Sequence, residues 1–197
     1  MTNTRDAIPP FGAATGSASF PPALDVCCGS RMFWFDKQDP RALFVDIRRE
    51  TWITDTRPGA SPTVVNPDVL ADFSNLPFPD NSFPLVIFDP PHLVRNGKQS
   101  RMSRKYGDLK GDWREMIRKG FAECFRVLKP EGTLVFKWNE LDVSVADVMA
   151  LTPERPLVGN RKPAASKPHW LVYLKPNDQD EKSPPVKPGL WKRRPKN

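Results

Sequence analysis

The chain is 197 residues long, 39% hydrophobic, with 30 Lys and Arg against 23 Asp and Glu and a net charge of +7. That length can bury the core of one domain, and the basic balance favours an anionic partner, nucleic acid being the usual one. No apolar run approaches the roughly 18 residues of a membrane span, so no membrane partner is expected.

"ALDVCC" (residues 23–28) is a short apolar run closed by Gly29 and Ser30, which reads as a buried strand and a turn. "RALFVDIRRE" (residues 41–50) repeats the plan, with Asp46 at the strand tip. The segment between them has room for one short helix around "RMFWFDK" (residues 31–37). "VVNPDVLADFSNLPF" (residues 64–78) holds a third strand ending near Asp72, and the Pro- and Gly-broken stretch after Arg49 predicts a crossover without a good helix. "FPLVIFD" (residues 83–89) is a fourth strand, and residues 93–111 are polar and basic.

Apolar residues at 113, 116, 117, 121, 124, 125 and 128 form a helical stripe. Asp112 is the expected N-cap and Glu115 the expected partner in a capping box. "KPEG" (residues 129–132) stops that helix, "TLVFKW" is a fifth strand, "ELDVSVADVMAL" a further helix and "HWLVYLK" (residues 169–175) the last strand. Residues 1–20 are rich in Thr, Ala, Gly and Ser with few anchors, so a flexible segment 1–20 precedes a single domain at 21–176, and a disordered, basic, Pro-rich tail follows at 177–197. Cys27, Cys28 and Cys124 are odd in number and lack a Cys-x-x-Cys spacing. No disulfide partner is therefore expected, and a reducing compartment follows. No basic–apolar–small leader opens the chain, so the expected location is cytoplasmic.

Strands alternating with crossovers argue an α/β fold, a doubly wound, mostly parallel sheet with reduced helices. Ligands of such sheets sit outside the carboxyl ends of the strands. Three successive ends carry Asp46, Asp72 and Asp89, and the first strand adds Asp25 and Gly29. Each Asp alone is equally a strand-end turn or helix cap; three in a row favour a site. Asp46 is placed to accept from ribose hydroxyls, and Asp72 and Phe73 to bond an exocyclic amine and cover a base. The dinucleotide fingerprint Gly-x-Gly-x-x-Gly and the phosphate loop Gly-x-x-x-x-Gly-Lys-Ser/Thr are absent.

Pro90 and Pro91 stiffen the corner after Asp89, because proline fixes φ and holds its predecessor extended. The Asp89 carboxylate and the Pro90 carbonyl then form two aimed acceptors, which suit the two hydrogens of an amine. His92 is placed to stack on the ring bearing that amine. A loop corner with a satisfied histidine is the plainer alternative.

Together these stretches resemble the class I S-adenosylmethionine-dependent methyltransferases. More narrowly they resemble the nucleic-acid amino-methyltransferases marked by Asp/Asn-Pro-Pro-aromatic, here Asp89-Pro90-Pro91-His92. "LDVCCGS" is similar to the first motif, "FVDI" to the ribose-binding motif, and "ADFSNLPFPDNSFPLVIFDPPH" to the run from the adenine-binding acid into the catalytic corner. "VLKPEGTLVFK" resembles the passage from helix to fifth strand. The resemblance implies S-adenosyl-L-methionine bound by Asp25, Cys27, Cys28, Gly29, Ser30, Asp46, Ile47, Asp72, Phe73 and Asp89. It implies catalysis by Asp89, Pro90, Pro91 and His92, direct transfer to nitrogen, and no metal. The chain departs from the pattern at Cys27 and Arg31, where glycines are usual, and at His92, where Tyr, Phe or Trp is usual. Adjacent cysteines on a strand face opposite ways, so Cys27 and Cys28 do not easily reach one ion.

Arg95, Lys98, Arg101, Arg104, Lys105, Tyr106 and Lys110 follow the corner and are candidates to grip nucleic-acid phosphates. A solvated surface loop is the alternative. Trp191, Lys192, Arg193 and Arg194 in the tail would add unspecific attraction. The resulting expectation is transfer to an exocyclic base amine, with N6 of adenine in DNA favoured. The alternatives are ribosomal or transfer RNA, or a nucleic-acid-binding protein of this fold without turnover.

Overall fold

The computed structural model of the chain describes residues 20–53, 61–93, 109, 111–160 and 168–177. Among the described residues, nine strands and two helices form in chain order. They are β1 (Ala23–Asp25), β2 (Ala42–Asp46), β3 (Glu50–Trp52), β4 (Thr63–Val65), β5 (Val69–Leu70), β6 (Phe83–Phe88), α1 (Trp113–Val127), β7 (Leu128–Asn139), α2 (Val145–Met149), β8 (Val158–Gly159) and β9 (Pro168–Leu174). Seven strands make one sheet in the order β5-β2-β1-β6-β7-β9-β8, and β3 pairs with β4 in a separate antiparallel hairpin.

Pairs β5-β2, β2-β1, β1-β6 and β6-β7 are parallel, and β9 runs antiparallel to both β7 and β8. The chain moves outward from β1 to β5, then returns to the other side of β1 to lay down β6. The order therefore reverses between β1 and β6, where an open α/β sheet leaves a crevice for a ligand.

β1 is buried on both faces, as the apolar run of a central parallel strand requires. The main core fills with Leu24, Val86, Phe88, Leu134, Phe136 and Trp138 from the central strands and Ile117, Phe121 and Cys124 from α1. α1 begins where the stripe predicts. The Asp112 carboxylate accepts from the Glu115 N–H at 3.2 Å, but the Glu115 carboxylate is held by Arg118 at 2.6 and 2.7 Å. At its other end, Lys175 Nζ donates to the carbonyls of Phe125 and Leu128, each at 2.7 Å. In the stop sequence the residue with positive φ is Glu131, at 61°. α1 lies against the sheet through Gly120, where a Cβ would come within 2.7 Å of the Phe88 ring and 2.8 Å of the Phe73 ring.

Three expectations need correction. No helix forms over residues 31–37; the segment is a chain of turns. Arg31 has φ 56°, outside helical space, and its guanidinium is tied to the Lys37 carbonyl at 2.6 Å and the Asn66 carbonyl at 2.8 Å. The single short strand expected within residues 64–78, ending near Asp72, divides into β4 and β5, because Pro67 has no N–H to donate. Beyond the break, Asp68 exchanges bonds with β2, donating to the Phe44 carbonyl at 2.8 Å and accepting from the Phe44 N–H at 2.9 Å. The helix expected over residues 140–151 shortens to α2, whose start is set by the Ser144 hydroxyl accepting from the Asp147 N–H. Among the described residues, no helix is long and apolar enough to cross a membrane.

Candidate active site

Strand register brings the acids together. Asp25 pairs with Phe44 of β2 and Ile87 of β6. Asp46 and Asp89 each lie two residues further along, so they flank Cys27 at the carboxyl edge on either side of the order reversal. Asp25 itself is 2% exposed. Its Oδ2 accepts from Trp34 Nε1 at 2.8 Å and its Oδ1 from the Cys27 N–H at 3.3 Å. Burial pushes Asp25 up to about 7; those two bonds pull it down, and the charges of Asp89 and Asp46 raise it further. Burial and then the same three carboxylates hold the Cys27 thiol well above its ordinary range.

Asp46 is buried and works as a clamp. Its Oδ2 accepts from the Gly29 N–H at 2.9 Å, and its Oδ1 from Arg48 N at 2.9 Å and Arg48 Nε at 3.2 Å. Gly29 has φ 50°, and nothing lies within 4 Å of where its Cβ would be. The backbone is thus open to close approach. Ser30 is half-buried in the same turn. Arg31, at a position where the resembled family has glycine, takes the left-handed conformation of one, and its guanidinium lies 3.7 Å from the centroid of the Phe44 ring. Ile47, directly after Asp46, is 63% exposed, an apolar surface beside the clamp.

Cys27 packs against the main core, while Cys28 joins Ala23, Ala42, Phe44 and Trp34 in a second cluster. The two thiols therefore serve opposite sides of the sheet. Burial raises the Cys28 thiol as well.

Asp72 follows β5, where its Oδ1 accepts from the Ser74 N–H at 2.8 Å and its carbonyl from the Asn75 N–H at 2.9 Å, closing a turn. Phe73 differs from the expectation of a ring covering a base. It packs 5.3 Å from Phe88 and abuts Gly120, so its ring belongs to the interface of sheet and helix.

At the proline corner, Asp89 Oδ2 meets Lys137 Nζ at 3.1 Å, each side chain about one-fifth exposed. Burial raises the Asp89 carboxyl to about 6, and the charge and hydrogen bond of Lys137 pull against that rise. Pro90 is buried and Pro91 half-buried. His92 departs from the expected stacking role. It is 6% exposed and edge-on to Trp138 at 6.3 Å. Burial first, then the Lys137 charge, lower it to about 4, while Asp142 acts the other way. His92 is therefore a neutral, packed ring at pH 7. Arg95, Lys98, Arg101, Arg104, Lys105, Tyr106 and Lys110 lie outside the described residues, as do Trp191, Lys192, Arg193 and Arg194.

Four site residues had no role in the sequence reading: Phe33, Trp34, Lys137 and Trp170. Lys137 carried one signal, a lone cation inside the apolar strand "TLVFKW". Its neighbours follow only from register, which pairs Phe88 with Phe136 and Lys137 with Trp170.

Solved structures superpose on this chain at low sequence identity. The PH0226 protein from Pyrococcus horikoshii OT3 matches with a TM-score of 0.53 and 17% identity, over 78% of this chain and 81% of that one. The fold is a doubly wound, Rossmann-like α/β fold with a mostly parallel seven-stranded sheet. A SAM-dependent methyltransferase from Leishmania major matches with a TM-score of 0.46 and 16% identity, over 78% of this chain and 63% of that one. Another from Methanosarcina mazei gives 0.47 and 13%, over 79% and 92%. No protein-family model and no curated protein matches the chain.

Proposed function

We propose that this chain is an S-adenosylmethionine-dependent N-methyltransferase acting on an exocyclic base amine of nucleic acid, with N6 of adenine in DNA as the favoured acceptor. One observation carries the reading: Asp46 and Asp89 end the two strands that flank β1 and stand level beside Cys27, at the point where the strand order reverses. Asp46 marks a nucleoside side of the crevice and the Asp89-Pro90-Pro91 corner an amine side.

The residues fit the cofactor. Gly29 leaves open space at its Cα, the Asp46 carboxylate retains lone pairs beyond its present bonds, and Ile47 exposes apolar surface for a base. When bound, the cofactor supplies a sulfonium methyl group. Asp46 holds the ribose hydroxyls, and the turn at Gly29 and Ser30 accommodates the amino-acid portion. Asp89 and the Pro90 carbonyl accept the two amine hydrogens, turning the nitrogen lone pair toward the methyl carbon. Transfer of that methyl group to the amine would place positive charge on the nitrogen, and the ionised Asp89 would face that charge. The surplus nitrogen proton then leaves to Asp89 or water.

The net charge of +7 supports a polyanionic acceptor. The test is incubation of the full chain with methyl-labelled S-adenosylmethionine and DNA, RNA or metabolite pools, followed by digestion to nucleosides. Label in N6-methyldeoxyadenosine is expected. Label confined to RNA moves the acceptor to RNA, label confined to metabolites overturns the nucleic-acid reading, and tight nucleic-acid binding without transfer replaces the enzyme with a binding protein.

A further inference from the structure

Along β7, Leu134, Phe136 and Trp138 are buried in the main core, whereas Val135, Lys137 and Asn139 alternate with them on the other face and are only half-buried. That second face puts Lys137 between Asp89 at the end of β6 and its register partner Trp170 on β9. The ammonium is 3.1 Å from Asp89 Oδ2, 4.5 Å from the centroid of the Phe33 ring and 5.8 Å from that of Trp170. The two rings touch each other edge to face at 5.2 Å. Phe33 comes from the helix-less strap between β1 and β2, so three separate parts of the chain converge on one cation.

We propose that Lys137 is a displaceable placeholder for the acceptor amine: its ammonium fills the bonding position on Asp89 until an amine enters, and then gives up that bond while staying against the rings of Phe33 and Trp170. The proposal rests on the reading of Asp89 as the amine acceptor. Its physical basis is polarity. A carboxylate held among apolar strands and near a second acid tends to take up a proton. A protonated Asp89 would offer a hydrogen where the amine needs an acceptor. Lys137 opposes that protonation, and the cation formed on the amine during transfer replaces the one displaced. In the position bonded to Asp89 both ring centroids already lie within the roughly 6 Å reach of a cation–π contact, so the ammonium keeps partners when it gives up the carboxylate.

Other groups face the same spot. From β1, Asp25 and Cys27 sense the Asp89 charge. From the corner itself, His92 is kept neutral by burial and by Lys137, and Asp142 beyond β7 acts on that histidine in the opposite sense. Asp46 on β2 reaches the group through Asp25 and Cys27.

Lys137 is thus a positioning residue, and Lys137→Met and Lys137→Arg test it. The full chain, labelled with carboxyl-13C aspartate and assigned with Asp89→Asn, is titrated by NMR, and methyl transfer to adenine-containing DNA is measured across the same pH range. In Lys137→Met the Asp89 titration and the acid limb of kcat/KM both move up by roughly one pH unit or more. Alkaline of that limb the KM for DNA falls, because nothing has to be displaced, while calorimetric affinity for S-adenosylmethionine stays as in the wild type. Lys137→Arg restores the titration but not the lower KM, since a guanidinium grips a carboxylate by two donors. An Asp89 titration unmoved in Lys137→Met, or a KM that rises there, overturns the placeholder and leaves the methyltransferase reading standing. A wild-type chain that transfers no methyl group to any acceptor removes both.

Discussion

The indole N–H of Trp34 is aimed at the buried carboxylate of Asp25 across 2.8 Å, tying the turn-built strap to the end of β1. The bond joins a segment without a helix to the point where the sheet order reverses. It also partly offsets the cost of burying an acid there. Trp34→Phe removes the donor and keeps an aromatic ring beside Phe44, its neighbour at 4.9 Å. The Asp25 carboxyl should then titrate above its present value of about 7, read by carboxyl NMR. An unmoved titration would show that the indole contributes packing alone.

Stability should depend on pH in a way that separates two kinds of buried group. Asp25 at about 7 and Asp89 at about 6 lie above the ~3.9 of an unfolded aspartate. The folded chain binds those protons more readily, so their contribution is full below pH ~4 and is lost as pH rises through 6 and 7. His92, held at about 4, is the reverse: its contribution is present above the ~6.5 of an unfolded histidine and is lost as pH falls through 4. Asp25→Asn abolishes one acid titration while keeping an acceptor for Trp34. Relative to wild type, its thermal midpoint should improve between pH 5 and pH 8, by an amount worth on the order of a few kcal/mol. Parallel curves for the two proteins would contradict the assignment.

The two flanking acids should divide binding from chemistry. Asp46→Ala loses the proposed ribose contact and the clamp on the Gly29 N–H, so S-adenosylmethionine affinity should fall about tenfold or more, at ~1.4 kcal/mol per decade. Asp89→Ala should leave that affinity nearly intact and cut turnover about 100-fold or more, the usual loss when a preorganised electrostatic partner is removed. Calorimetry and single-turnover transfer on both variants resolve the two. If Asp89→Ala turned over near the wild-type rate, the amine-seating role of the corner would be wrong.

What could be read beforehand follows from the range over which each signal acts. α1 was legible because its stripe and its cap at Asp112 are local. Asp46 and Asp89 were legible because an open parallel sheet fixes where strand-end residues go. The β3–β4 hairpin was not, since strands of three residues leave little periodicity. The strap had room for one short helix, but Arg31 is held by partners from beyond its own segment, at Asn66 and Asp68. Phe33, Lys137 and Trp170 meet through cross-strand register, which no single stretch of sequence displays. His92 and Phe73 are alike in being aromatic residues beside the site whose rings pack into or against the core, a placement set by tertiary contacts that no local stretch displays.

Gly120 sets how near α1 can approach the sheet. A methyl group there would lie within 2.7 Å of Phe88 Cζ and 2.8 Å of Phe73 Cδ2, too close for either ring to stay. Alanine is ordinarily the better helix former by up to about 1 kcal/mol. Here overpacking should prevail, and Gly120→Ala should destabilise the fold by about 1–3 kcal/mol. Because Phe88 immediately precedes Asp89, methyl transfer should fall more steeply than the lost stability alone implies. Chemical denaturation with activity measured well below the midpoint checks both parts; a neutral or stabilised variant would mean the rings have room to yield.

Arg31 sets backbone strain against side-chain anchoring. Its φ of 56° costs an L-residue roughly 1–2 kcal/mol. The guanidinium offsets this through two carbonyls, the Asp68 carboxylate at 3.2 Å and the Phe44 ring. Arg31→Gly loses the anchors but also the strain, whereas Arg31→Ala loses the anchors and keeps it. The alanine variant should therefore be the less stable of the two by about 1 kcal/mol. The same ranking should appear in S-adenosylmethionine affinity, since Arg31 closes the turn that carries Gly29. Urea denaturation and calorimetry on the pair supply the comparison, and an alanine variant at least as stable as the glycine one would show that the turn relaxes out of the left-handed region once the anchors are gone.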